Sequence, residues 1–174
     1  MIYFTTPYAF DGNLGGAYNQ YMDLLPNDDD WMVITDGDVC FLTAKWGHQI
    51  HDIINAYPDT GLFTCFTNRV GNRRQLINGK ISSERDVLKL FLRADKMKKD
   101  HYSHTTVLIP PISGHLMAIK KSVWRQVGKF KNGMLTVDNN ISRKVFDAGY
   151  TIRRMDGLYV FHLYRLWTKM PNKY

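Results

Sequence analysis

A chain of 174 residues is long enough to fold as one domain and to bury roughly 70% of its unfolded surface. Hydrophobic residues at 44% and aromatics at 13% exclude a disordered chain, and no run approaches the ~18 apolar residues of a membrane span. The net charge of +7 and pI near 9.4 favour anionic partners, whether phosphates of a small ligand, acidic lipid headgroups or nucleic acid, and equally fit a solvated basic surface.

Ile2-Tyr3-Phe4-Thr5-Thr6 reads as a strand ended by Pro7. Asp11-Gly12-Asn13 and Gly15-Gly16 form a turn-rich connection. From Ala17, the residues Tyr18, Tyr21, Met22 and Leu25 recur at helical spacing until Pro26 and the acidic run 27–30. Trp31-Met32-Val33-Ile34-Thr35 reads as a buried strand that ends in Asp36-Gly37-Asp38. Thr43 is placed to cap a helix carrying Trp46, Ile50, Ile53, Ile54 and Tyr57 inside. Residues 61–67 read as a strand and 68–79 as a polar, basic loop. Ser83 with Asp86 resembles a capping box, opening a helix with Val87, Leu88, Phe91 and Leu92 on one face. Val107-Leu108-Ile109 leads into Pro110-Pro111, and residues 116–119 read as another strand. Ser122 is placed to cap a short helix stopped by Gly128. Asp138 precedes a helix with Ile141, Val145, Phe146 and Ala148 inside, ended by Gly149. Residues 151–154 and 158–161 read as the last strands, and 168–174 as a frayed tail. Strands alternating with helices predict an α/β fold, a central sheet flanked by helices in one domain over residues 1–174. Loops 68–81 and 134–139 are expected to border an active site.

Asp36 and Asp38 carry the strongest chemical signal. Strand alternation puts both carboxylates on one side, where they repel unless a cation sits near them. Mn²⁺ or Mg²⁺, held by such carboxylates and by substrate phosphates, meets that need; a polar Asp-Gly turn closing the strand is the simpler reading. Cys40 and Cys65 match no metal spacing and read as buried thiols in a reducing compartment. The first residues lack signal-peptide order, which points to the cytoplasm.

The order of these pieces resembles the GT-A-fold glycosyltransferases, in particular the large inverting family 2. The resemblance rests on Asn13-Leu14-Gly15-Gly16-Ala17-Tyr18-Asn19, on Asp36-Gly37-Asp38, on Gly114 to Ile119 followed by Trp124-Arg125-Gln126-Val127-Gly128-Lys129-Phe130, on Asp138 opening a helix that ends at Gly149, and on a strand closing in His162. Family members usually carry two or three strands before the asparagine-glycine turn, against one here, so the nucleotide-binding half is expected to be shortened. Their usual acidic pair is Val137-Asp138 here.

The resemblance implies a GT-A-like, Rossmann-like domain that transfers a sugar from a nucleotide-sugar, UDP-linked by expectation, to a glycan or other hydroxyl acceptor. It implies that Asp36, Asp38 and His162 hold Mn²⁺ or Mg²⁺. Read alone, His162 is more simply an ordinary half-buried strand-end histidine. Asp138 is the implied general base, with a plain helix cap as the alternative. Thr5, Pro7, Tyr8, Asn13, Gly15, Asp36, Gly114 and His115 are the implied donor-binding residues. His115 is placed to touch a sugar hydroxyl, and Arg69, Arg73 and Arg74 to close on the diphosphate. A nucleotidyltransferase using the same carboxylates, with Asp138 or Asp156 as a third, is the rival enzyme. A non-catalytic, basic polyanion-binding relative is the rival module. No aromatic-basic nucleic-acid motif is present, so nucleic acid is disfavoured, while peripheral contact with an anionic membrane fits the charge.

Overall fold

The structure, a computed structural model, describes residues 1–166, so the tail expected to fray at 168–174 lies outside the described residues. Its elements are β1 (Ile2–Thr5), α1 (Leu14–Asp23), β2 (Trp31–Thr35), β3 (Val39–Phe41), α2 (Trp46–Ala56), β4 (Thr60–Thr67), α3 (Val87–His101), β5 (Thr105–Leu108), β6 (Leu116–Lys120), α4 (Lys121–Gln126), α5 (Val137–Asp147) and β7 (Thr151–His162). They build one seven-stranded mixed sheet in the order β1-β2-β6-β4-β7-β3, with β5 also paired to β7. The β1–β2 and β4–β7 pairs are parallel and the others antiparallel.

Alternation along the central strands divides the core into two layers. Trp31, Val33, Phe63, Leu116 and Ala118 pack on one face with Ile50, Ile53 and Ile54 of α2. Met32, Ile34, Leu62, Met117 and Ile119 pack on the other with Tyr18, Met22, Trp124, Ile141 and Val145 of α1, α4 and α5. Helices therefore flank a mixed sheet, the expected α/β arrangement. Among the described residues no helix is long and apolar enough to cross a membrane.

Element ends depart from the sequence reading where hydrogen bonding overrides apolar spacing. Helix α1 starts at Leu14, ahead of Ala17, because the Asn13 side chain accepts from the Gly16 amide. Thr43 does not cap α2: Lys45 precedes it with φ 58° and no side-chain cap. Asp86 caps α3 by accepting from the Leu88 and Lys89 amides, while Ser83 accepts from Arg69 instead. Ser122 lies inside α4, and Asp138 lies in the first turn of α5, after Thr136. The two expected closing strands are one continuous strand, β7, whose register against β4 shifts between Met155 and Tyr159. Gly157 sits in that irregularity, where a Cβ would lie 2.5 Å from the His101 carbonyl oxygen. The 68–79 loop contains two 3₁₀ turns, Arg73–Gln75 and Ile77–Gly79. Cys65 is buried and Cys40 exposed, both as free thiols, which corrects the expectation that both are buried.

Packing also reverses the expected face of α3. Leu90 and Ala94 pack against Tyr159 of β7, at 2% and 0% exposure. Val87, Leu88, Phe91 and Leu92 point outward, at 43–73% exposure. Phe146 of α5 and Ala148 just after it are likewise exposed, and buried Ser142 takes a place on the inner face. Leu90→Ala is therefore expected to cost about 2–5 kcal/mol, whereas Leu88→Ala should stay within about 0.5 kcal/mol in urea unfolding.

Candidate metal centre

Strands β2 and β3 do not pair with each other, and Asp36-Gly37-Asp38 is the turn that carries the chain between them. The turn, rather than strand alternation, sets the direction of the two carboxylates. It is pinned by three backbone bonds: Asp36 N to the His115 carbonyl (3.2 Å), Val39 N to the Asp36 carbonyl (3.2 Å) and Leu163 N to the Asp38 carbonyl (3.1 Å). Val39 pairs in register with His162, the last residue of β7. The imidazole therefore arrives beside the acidic turn through sheet pairing.

His162 Nε2 lies 3.1 Å from Asp38 Oδ1 and 3.6 Å from Asp36 Oδ2. One ligand atom from each of the three residues fits within a 4.8 Å cluster. The histidine is 3% exposed, while the two aspartate side chains are 37% and 43% exposed, so the cluster opens on its carboxylate side. His162 Nδ1 lies 2.9 Å from the Arg69 carbonyl, which only accepts, so Nδ1 carries the proton and donates. In the neutral ring, Nε2 then turns its lone pair on the carboxylate oxygens. Acceptor facing acceptor is repulsive, and a divalent cation or a second proton relieves it. Two carboxylate oxygens and one imidazole nitrogen form a mixed donor set suited to Mn²⁺.

A second layer holds this geometry. The Asn68 side chain accepts from the His162 amide at 2.7 Å. Arg69 is buried, donating to the carbonyls of Tyr164 and Arg165 and to Ser83. His115 stacks on His162 with centroids 5.7 Å apart and lies 3.7 Å from Cys65 Sγ. Burial, with His162 adding to it, pushes the His115 pKa down to about 3, so this ring is neutral. At 1% exposure it is packed behind His162 and offers no surface to a sugar hydroxyl, contrary to expectation.

Asp138 joins the same electrostatic site. Its Oδ2 accepts from Gly114 N at 2.9 Å and its Oδ1 from Asn139 N at 2.8 Å. A Cβ on Gly114 would lie 3.0 Å from Asp138 Cβ, so that glycine makes room for the carboxylate. Burial raises the Asp138 pKa, with the two backbone bonds opposing it. Burial also raises that of Asp36, opposed by His162 and reinforced by Asp38 and Asp138. Tyr18 is pushed upward too, first by burial and then by the charges of Asp36 and Asp138.

Of the expected donor residues, Thr5 pairs with Ile34 at the end of β1, and Thr6 Oγ1 meets Thr35 Oγ1 at 3.0 Å. A Cβ on Gly37 would fall 3.7 Å from the Thr6 side chain, so the segment holding Thr5, Pro7 and the 80% exposed Tyr8 borders the acidic turn. Asn13 and Gly15 do different work. Asn13 Oδ1 accepts from Gly133 N at 2.7 Å, Gly15 N donates to the Gly133 carbonyl, and a Cβ on Gly15 would meet the Lys131 carbonyl oxygen at 1.8 Å. Both clamp the 131–133 segment. Trp46 stacks on Phe41 at 3.7 Å, and Trp124 is fully buried, so both are packing residues. Arg74 donates to the Ile109 carbonyl.

Sequence reasoning missed Asn68 and Gln75. Gln75 is fully buried, bonds Thr64 and the backbone of Ser113, and so braces the approach to Gly114. Asn68 carried one usable signal, a polar residue directly after an apolar strand; Gln75 carried none. A comparison with models of known protein families finds no match, and one with curated proteins finds none.

Mn²⁺ is expected to bind and to raise the melting temperature, since a ligand of the folded form stabilises it. Asp38→Asn and His162→Ala should each weaken Mn²⁺ affinity at least about tenfold, read from the electron paramagnetic resonance of the free ion.

Proposed function

We propose that the chain is a divalent-metal-dependent glycosyltransferase that moves a sugar from a nucleoside diphosphate, taken as uridine, to a hydroxyl acceptor with inversion. The observation that carries this reading is the convergence of Asp36, Asp38 and a tautomer-fixed His162 on one point at the end of β2. In α/β sheets that end is where ligands gather. Asp36, Asp38 and His162 would hold Mn²⁺ or Mg²⁺, which, when bound, supplies positive charge against a departing diphosphate. The segment from Thr5 to Tyr8 borders the acidic turn and would face the base.

Asp138 suits the role of general base. Each oxygen takes one backbone N–H, which fixes the carboxylate and leaves acceptor capacity for a hydroxyl proton. Its raised pKa strengthens it as a base. Its field is felt at Asp36, as a base beside the metal centre should be. Nucleotidyl transfer is less well supported, because a third carboxylate does not join the ligand cluster among the described residues. Asp156 is taken by Arg154 at 2.8 Å and Thr106 at 2.7 Å. A polyanion-binding face is poorly served by an acidic turn.

Hydrolysis of a UDP-sugar without acceptor is expected to require Mn²⁺, and failure of every nucleotide-sugar tested to bind, with or without metal, would overturn the reading. Asp138→Asn should lower turnover by about 10²–10⁴-fold while weakening Mn²⁺ affinity far less than Asp38→Asn does. A base must be ionised, and burial holds Asp138 protonated to higher pH than an ordinary aspartate. The wild-type rate should therefore fall toward acid with a midpoint above the usual aspartate range, a limb absent from the residual rate of Asp138→Asn.

A further inference from the structure

A cavity of about 480 Å³ shares a wall with the metal centre and is lined by Asn68, Lys80, Ser82, Ser83, Arg93 and Tyr159, among others. The shared wall is Asn68, whose Oδ1 takes the His162 amide and the Thr67 hydroxyl. The 80–83 segment is tied to it by Ser82 N donating to the Asn68 carbonyl at 2.9 Å. Asn68 and Tyr159 are 1% and 2% exposed; Asn68 Nδ2 has no hydrogen-bond partner, and the Tyr159 hydroxyl has the Arg93 guanidinium as its polar neighbour. Nδ2 is a donor only, and the hydroxyl can donate. Buried polar groups are ordinarily satisfied, so the orphaned Asn68 donor in the cavity wall calls for an acceptor beside it.

The charge in the cavity points the same way. Arg93 and Lys80 form no ion pair among the described residues, and no carboxylate is among the lining residues. A neighbouring cavity shares Ile77, Asn78 and Arg93 but is lined also by Asp100 and Asp156, which pair with Lys96 and Arg154. The carboxylates on that side of Arg93 are thus already paired, and on the Asn68 side no carboxylate lines the cavity.

We propose that this cavity binds an oxyanion, a phosphate or carboxylate, carried by the acceptor. Only the word acceptor rests on the glycosyltransferase reading; the anion site itself does not. Arg93 supplies planar paired donors, Lys80 a mobile charge, and Asn68 and Tyr159 fixed neutral donors. An anion held there lies next to His162 without entering the metal's own shell. The anionic group can come from a soluble phosphorylated glycan or from a lipid headgroup, since the outward Val87, Leu88, Phe91 and Leu92 sit on the same helix as Arg93.

The test is calorimetric titration of the full chain with inorganic phosphate in metal-free buffer, against chloride at equal ionic strength. Saturable phosphate binding is expected, weakened about tenfold by Arg93→Gln and by Tyr159→Phe, the loss of one charge-assisted or buried hydrogen bond. Mn²⁺ affinity should be unchanged in both variants, which separates failure of the anion site from failure of the metal centre. Sedimentation with vesicles containing phosphatidate, against phosphatidylcholine alone, distinguishes the sources. Arg93-dependent retention on phosphatidate supports a lipid headgroup, and phosphate binding without retention supports a soluble acceptor. Absence of saturable phosphate binding and of Arg93-dependent retention, or phosphate binding that neither substitution weakens (an adventitious ion only), would overturn the proposal.

Discussion

The Arg69 carbonyl, 2.9 Å from His162 Nδ1, decides which ring nitrogen faces the acidic turn. Were Nδ1 unprotonated there, two acceptors would meet in a buried place, which folding does not tolerate. With Nδ1 donating, Nε2 is the nitrogen left beside both aspartates, and in the neutral ring it carries the lone pair. The carbonyl is in turn held by the chain around Arg69, whose guanidinium ties together Tyr164, Arg165 and Ser83. The orientation of the imidazole thus depends on a backbone group that no residue identity at position 69 announces.

Around this bond the electrostatics invert those of the molecule. The chain is basic overall, at +7, but Asp36, Asp38 and Asp138 concentrate negative charge at the end of β2. Part-burial makes that concentration costly, and the raised carboxylates of Asp36 and Asp138 register the cost. A cation offsets it directly. Basic groups then stand outside the cluster, with Arg93 and Lys80 lining a separate cavity across Asn68. A negative cluster thus stands beside a cavity whose charged lining residues are basic.

Much of the fold was legible in the sequence because burial writes a period. Trp31, Val33 and Phe63 against Met32, Ile34 and Leu62 alternate between the two core layers as strands must. The same logic failed on α3, where Val87, Leu88, Phe91 and Leu92 look like an inner face and are the outer one. Leu90 and Ala94 meet β7 instead, because Tyr159 and the irregular register near Gly157 shape the surface the helix must fit. Apolar spacing shows that a helix has a face; it does not say what lies across from it.

The site divides in the same way. Asp36-Gly37-Asp38 after an apolar strand, His162 at a strand end and Asp138 at a helix start are local patterns, and residue type with spacing was enough to select them. Their meeting was decided by tertiary structure. Sheet pairing of Val39 with His162 brings the imidazole to the turn, and the Gly114 amide meets the Asp138 carboxylate across the sheet edge. The same packing gave Asn13 and Gly15 to the 131–133 segment and placed His115 behind His162. One-dimensional order records which groups are available, whereas distance, tautomer and burial depend on contacts between residues far apart in the chain, and those exist only once the sheet has closed.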